Sequence, residues 1–430
     1  MAYLLKSAHV VDPAAGLDGV ADVLVEGERI VSVGEGLTAP AGAEVVDLAG
    51  KYLVPGLVDM HVHLRDPGQE YKEDIESGTR AAAKGGMTGV CSMPNTKPCT
   101  DTGTVISYIL ARAAEAGHCH VYPSGACTKD LKGEALSEMG DMVARGAVAF
   151  TDDGHGVQDA GMMRRVMDYG KMFGKVFMSH CQDEALVGAG QVNEGPVSTR
   201  LGMLGWPGTG EELQIQRDIE IARLTGAKLH IQHITTARGL DMVRRAKAEG
   251  LPVTCEVTPH HLFLTDSCIT ETYDTNFKVN PPLRSKAAAE ALLAGIEDGT
   301  VDCIVTDHAP HAAWEKAREF AFAPFGMTGI ETSLALVLTK LVRTGKLSHA
   351  RLVELMSIAP RRILGVEPVS IAEGSLADIT VFDPELEWTV MADGFESKAS
   401  NSAFIGASLT GRATDVFCAG RRTLAGGEIC

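Results

Sequence analysis

Along the middle of the chain, short apolar runs alternate with stretches of helical period, and nearly every helical stretch ends in glycine. From Val54 to Gly345 the runs "LVPGLVDMHVH", "TGVCSMPN", "HVYPSGA", "AVAFTDD", "KVFMSHC", "KLHIQHI", "PVTCEVTPH" and "DCIVTDHAP" read as eight strands. Between them, "EDIESGTRAAAKGG", "TVISYILARAAEAG", "EALSEMGDMVARG", "MMRRVMDYGKMFG", "IQRDIEIARLTG", "LDMVRRAKAEG" and "AAEALLAGIEDG" read as helices, and "IETSLALVLTKLVRTG" supplies an eighth. The closing glycines suit a helix C-terminus in the left-handed region. Eight strand–helix units predict a (β/α)8 TIM barrel. An open doubly wound sheet would need a Gly-rich phosphate loop after its first strand; an H-x-H stands there instead.

The two ends carry short strands with no helices between them. "ADVLVEGERIVSVGEG" predicts a hairpin turning at Glu26–Glu28, and "GSLADITVFD" and "ATDVFCAGRRTLAGG" repeat that style. Neither end has enough apolar faces to fold alone. The expectation is one small β domain, discontinuous in sequence, made of residues 1–53 and 367–430, beside a barrel spanning 54–366.

Composition narrows the class. A net charge of −17, from 39 basic and 56 acidic residues, argues against binding nucleic acid or anionic lipid. No apolar run approaches a membrane span, and "MAYLLKSAHVVD" is too short and polar for a signal peptide. The ten cysteines are singletons without a CxxC pair, which predicts reduced thiols and a cytoplasmic protein.

The candidate chemistry sits at the strand ends, where barrel enzymes place it. His61 and His63 share one face of the first strand by alternation. Asp152 and Asp153 end strand four, His180 strand five, His233 strand six, and Asp307 and His308 strand eight, with His311 beyond. Any one buried histidine is ordinarily a satisfied core residue. Four imidazoles and two carboxylates converging from five strands form a metal-site inventory, and their N/O donors without thiolate suit Zn²⁺ or a similar divalent ion. Spacing does not separate Asp152 from Asp153; either could cap the next helix. His230 reads as structural, on the opposite strand face from His233. His260 and His261 stay outside the first ligand set, and the remaining histidines are read as surface or packing residues.

"DMHVHLRDPG" (59–68) and "TDHAPHAAWEK" (306–316) resemble the two signatures of dihydroorotases. "SMPNT", "AFTDDG", "SHCQD", "QHITT", "TPHHL" and "VNPPLR" stand between them in that family's order. The likeness spans nearly the whole chain and is nearest to the long bacterial type of the amidohydrolase superfamily. It implies reversible hydrolysis of (S)-dihydroorotate to N-carbamoyl-L-aspartate, a step of pyrimidine biosynthesis, by a metal-bound hydroxide with Asp307 as general acid/base. It implies one or two Zn²⁺ per chain: His61, His63 and Asp307 at one position, His180 and His233 at another, and Asp153 bridging. Hydantoinases and another dihydroorotase branch use a carboxylated lysine as the bridge, and "AVAFTDDG" has no lysine to offer. The resemblance also implies that Arg65, Asn95 and His311 receive the substrate carboxylate, that Asn280, Phe325 and Gly326 contact the ring, and that His63 borders the substrate.

Arg65 could otherwise pair with Asp66, and Asn95 and Asn280 could stabilise turns beside proline. The long segment 309–328 is expected to be a mobile lid or else a fixed covering loop packed by its aromatics. Competing readings are another cyclic amidase, hydantoinase- or allantoinase-like, and an inactive scaffold subunit of aspartate carbamoyltransferase. A homodimer and association of an active enzyme with that transferase are left open.

Overall fold

The computed structural model describes residues 1–430. Eight parallel strands follow one another around a barrel: β1 Leu57–Val62, β2 Met87–Ser92, β3 His120–Gly125, β4 Ala149–Phe150, β5 Val176–Ser179, β6 Leu229–Ile231, β7 Val253–Val257 and β8 Cys303–Ile304. A bridge between Val62 and His308 and a bond from His63 N to His308 O (2.8 Å) join the last strand's extension to the first. Every residue of β1 and β2 is buried, as expected of a parallel strand covered on both sides. Helices Gly103–Ala116 and Thr209–Thr225 end at Gly117 (φ 65°) and Gly226 (φ 73°), so two of the glycine stops read from sequence adopt the left-handed form.

The chain's two ends build a second sheet. Its order runs from Glu428–Ile429 and Arg421–Ala425 through Ser408–Cys418, Ile379–Thr389, Tyr52–Pro55, Ala2–Asp12 and Leu17–Glu26 to Arg29–Gly34, with Glu44–Asp47 also pairing with Ala2–Asp12. The N-terminal hairpin closes between Glu26 and Arg29, with Gly27 at φ 59°. The N- and C-terminal contributions meet where Ile379 pairs antiparallel with Pro55. Leu5, Val23, Val25, Ile30, Leu53, Ile379, Val381 and Phe417 form an apolar cluster within this sheet.

The run "LVPGLVDMHVH", expected as one strand, is two. Tyr52–Pro55 belongs to the terminal sheet and Leu57–Val62 to the barrel. Gly56 makes the transfer possible: a Cβ there would lie 2.2 Å from Thr88 Oγ1. Strands β4 and β8 are also shorter than their apolar runs, because the backbone leaves the ladder before the aspartates that end them.

A buried polar joint fastens the sheet to the barrel. Arg361 is 2% exposed, and it donates to Asp378 Oδ2 (2.9 Å) and Thr88 Oγ1 (3.0 Å). The same carboxylate accepts from Ala419 N at 2.8 Å and contacts His120 Nε2 at 3.0 Å. Arg361→Met is expected to leave Asp378 buried without its guanidinium and to destabilise the chain by about 3–5 kcal/mol, read as a lowered midpoint in urea unfolding. An unchanged midpoint would show that the joint carries no net stability.

Candidate active site

At the C-terminal ends of the strands the backbone becomes unusual where the polar side chains gather. Arg65 (φ 60°), His233 (φ 28°) and Asp307 (φ 47°) are three of the few non-glycine residues with positive φ, a conformation that costs free energy and clusters at functional sites. The turn at Arg65, beyond the end of β1, rather than strand alternation, therefore directs its side chain inward. Likewise, Gln232 and His233 lie beyond the end of β6, so alternation does not set His233 opposite His230, and His230 is not turned away from the centre. It faces Glu256 in the barrel interior.

The six ligand candidates come together. His61 Nε2 lies 3.3 Å from Asp153 Oδ1 and 3.5 Å from Asp307 Oδ1. His63 Nε2 lies 3.0 Å from Asp307 Oδ1 and 3.5 Å from Asp153 Oδ2. His180 Nδ1 is 3.4 Å from Asp153 Oδ1 and 3.0 Å from His233 Nε2, which is itself 3.8 Å from Asp153. Asp153 thus touches all four imidazoles. Asp152 turns away and accepts from Cys127 N (2.7 Å) and Thr128 N (3.0 Å). The cap of the following helix is Asp159, not either of the pair.

The outer nitrogens fix where the lone pairs point. His61 Nδ1 donates to Glu256 Oε1 (2.5 Å), His63 Nδ1 to Asn95 Oδ1 (2.9 Å) and His180 Nε2 to Gln182 Oε1 (2.9 Å). The opposite nitrogen of each ring is left facing the carboxylates, where a neutral ring would offer its lone pair to a metal. His61 Nε2 and Asp153 Oδ1 are buried without a hydrogen-bond partner. The His61–His63–Asp307 and His61–Asp153–His233 donor atoms each lie within 4.8 Å of one another. This donor set fits divalent cations, with the second grouping drawn around His61 as well as His233.

Burial favours the neutral form of Asp307, but the neighbouring His61 and His63 hold its carboxyl well below the usual range. Burial also opposes ionisation of Glu256, yet His61 and His230 bring it down to about 2. Glu256 was absent from the sequence reading, although a lone carboxylate inside the apolar run "PVTCEVTPH" was its visible signal. Glu256→Gln is expected to weaken metal retention roughly 10- to 100-fold, measured as metal left per chain after dialysis against a graded chelator series.

A cavity of about 150 Å³ opens above this centre, lined by His63, Arg65, Asn95, Asp153, His180, His233, Asn280, Asp307, His311, Phe325 and Gly326 among others. Arg65 forms no pair with Asp66; its Nε donates to Pro310 O (3.3 Å), and its terminal nitrogen lies 3.4 Å from His311 Nε2. Asp66 instead accepts from Tyr108 (2.8 Å). Burial and the cations Arg65, Lys72 and Lys316 push His311 down to about 2, leaving it neutral. Its Nε2 donates to Phe325 O at 2.8 Å, and its Nδ1 faces Lys72 Nζ at 3.4 Å. Asn280 donates to Gln182 (3.1 Å), and its buried Oδ1 has no partner.

The segment 309–328 is tied down rather than loosely draped. Lys278 Nζ donates to Phe320 O (2.6 Å), Ala321 O (3.1 Å) and Ala323 O (2.7 Å), while Lys316 Nζ donates to Pro324 O (3.1 Å) and Gly326 O (2.9 Å). Burial lowers both ammoniums, with Arg318 adding at Lys278 (about 8) and Lys278 at Lys316 (about 7). Phe320 is buried, but Trp314 and Phe322 are exposed, so only part of the aromatic set packs.

Barrel and site together define a metal-dependent amidohydrolase. The dihydro-orotase-like family model matches residues 50–238. A dihydroorotase of Geobacter metallireducens is 48% identical over 421 residues, covering 98% of this chain and 99% of its own length. One from Pelotomaculum thermopropionicum is 49% identical, covering 96% of each chain. Among solved structures, an L-hydantoinase (dihydropyrimidinase) from Arthrobacter aurescens superposes with a TM-score of 0.88 at 26% identity, covering 100% of this chain and 97% of that one. This chain belongs to the dihydroorotase family.

Proposed function

We propose that the chain opens and closes the dihydroorotate ring, interconverting it with N-carbamoyl-L-aspartate, with His61, His63 and Asp307 around one Zn²⁺, His180 and His233 around a second, and Asp153 shared between them. The observation that carries the substrate is Arg65. In an acidic protein, this buried guanidinium faces a carbonyl and a neutral histidine instead of a carboxylate, leaving its fork free for an anionic substrate. Imidazole and carboxylate donors without thiolate support zinc.

Bound there, the divalent cation supplies Lewis acidity that favours ionisation of the attacking water and polarises the amide carbonyl. The chain's own groups do the rest. Asp307, held ionised in the resting site, takes the proton from the attacking water and delivers it to the ring nitrogen as the C–N bond breaks. Without that proton, the tetrahedral intermediate would collapse back to the ring. In the cyclising direction, the same carboxylate removes the ureido proton. Arg65 and Asn95 donate to the substrate carboxylate with His311 bordering that pocket, and Asn280 offers its amide oxygen to a ring N–H. Phe325 and Gly326 form the wall against the ring. Gly326 N–H donates to Lys278 O (2.9 Å) and its carbonyl is engaged by Lys316, so this glycine contributes shape.

The test is turnover of dihydroorotate against an uncharged hydantoin, with metal content measured on the same sample. Preference for the hydantoin would transfer the chain to the other cyclic amidases; activity surviving complete metal removal would sink the metal assignment. The division into residues 1–53 with 367–430 and a catalytic unit 54–366 belongs to this reading, as does a cytoplasmic location, which ten free cysteines support. No helix is long and apolar enough to cross a membrane. Light scattering of the chain, alone and with aspartate carbamoyltransferase, tests the homodimer and transferase association.

A further inference from the structure

Two buried side chains remote in sequence converge on one carbonyl of the cavity wall. Gly326 O accepts from Lys316 Nζ at 2.9 Å and from Asn401 Nδ2 at 3.1 Å. Asn401 comes from the segment between Ile379–Thr389 and Ser408–Cys418, the strands of the terminal sheet. Its amide also donates to Ala309 O (3.3 Å) and accepts from His311 N (3.0 Å), while its own carbonyl accepts from Thr328 N (2.9 Å). One asparagine therefore spans both stems of the segment and the backbone of His311.

The wall it supports leaves no slack. Gly326 has φ 131°, and a Cβ there would lie 2.7 Å from Ala309 Cβ and 3.1 Å from His311 Nε2. An apolar side chain would fill the space of Lys316 more cheaply than a desolvated ammonium. What the ammonium adds is direction: three N–H donors spread over the carbonyls of Pro324, Gly326 and, at 3.5 Å, Lys278.

We propose that Lys316 and Asn401 are positioning residues for substrate binding: by pinning the Gly326 carbonyl from two sides they fix the Phe325–Gly326 peptide and His311 against the dihydroorotate ring and carboxylate. The proposal rests on the substrate reading above. It links the terminal sheet to substrate affinity without placing any residue of that sheet in contact with substrate. Neither residue touches the six ligand candidates, so the effect falls on KM.

Lys316→Met, which keeps the volume, and Asn401→Asp, which keeps the shape and the acceptor for His311 N, are to be compared with Arg65→Met. For the first two, KM for dihydroorotate is expected to rise about 10- to 100-fold, the scale of an ångström misplacement. Their kcat should stay within about threefold and their metal content should not change. The double variant should cost less than the product of the single effects, because both side chains act on one acceptor. Lys316→Arg should recover part of the loss. If Arg65→Met raises KM while the two positioning variants leave it unchanged, or lower kcat and KM together with metal loss, the positioning role is overturned and the substrate reading stands. If Arg65→Met itself leaves KM unchanged, the substrate reading fails first. An Asn401→Asp chain that does not fold leaves Lys316→Met and its arginine rescue to decide.

Discussion

Asp307→Asn is expected to lower turnover at least about a thousandfold, and added zinc is expected not to restore it. The substitution preserves shape but removes the group that carries the proton between water and ring nitrogen, a contribution of about 10²–10⁴ by itself. It also removes one anionic donor facing His61 and His63, 3.5 and 3.0 Å away. The two roles separate by titration: metal content and rate are followed together as zinc is raised. If excess zinc brings the rate back to within tenfold of the parent, Asp307 is a ligand only and the proton has another carrier. The loss in kcat/KM must be equal in the hydrolytic and cyclising directions, since a catalyst leaves the equilibrium constant unchanged, which gives an internal check on the assay.

Asp153→Ala should be as damaging for a different reason. Asp153 is the one carboxylate within 4.0 Å of all four imidazoles. Without it, the ring nitrogens of His180 and His233 remain 3.0 Å apart with no anion between them, and the charge of two cations loses its shared counter-ion. Metal content is expected to fall by at least one ion per chain relative to the parent, and turnover by about a thousandfold or more. A variant retaining the parent's full metal complement and rate would remove Asp153 from the centre and return attention to Asp152, whose carboxylate instead ties down Cys127 and Thr128.

Much of this arrangement was legible in the chain because it rests on local rules. Apolar runs, glycine stops and strand-end histidines are written at short range, so the barrel and the His61/His63 pair followed from alternation and period. The six candidate donors meet in space as the family resemblance implied. What escaped were features set by packing between distant segments. Gly56 reads as an ordinary glycine until Thr88 fills the space beside it. The departure of Gln232–His233 from β6 turns His233 to the same side as His230, contrary to simple alternation. Asn401 carries no local signal at all; its meaning comes only from the carbonyls of Ala309 and Gly326, roughly 75–90 residues away in sequence. Glu256 lies between these cases, since its charge within an apolar strand was visible but its partner His61, 195 positions away, was not.

The pairing of Tyr52–Pro55 with Ile379–Phe382 has a consequence for synthesis. The strand that feeds directly into His61 and His63 cannot find its neighbour until more than three hundred further residues have left the ribosome. At ~5–20 residues per second, that wait is roughly fifteen seconds to a minute. Throughout it, Tyr52–Pro55, already paired with Ala2–Asp12 on one side, presents on its other side an unpaired edge of the kind that invites association with other chains. A nascent chain halted before Ile379 should therefore be open to proteases at its N-terminal sheet and dependent on chaperones, whereas one halted after Ala425 should resist digestion.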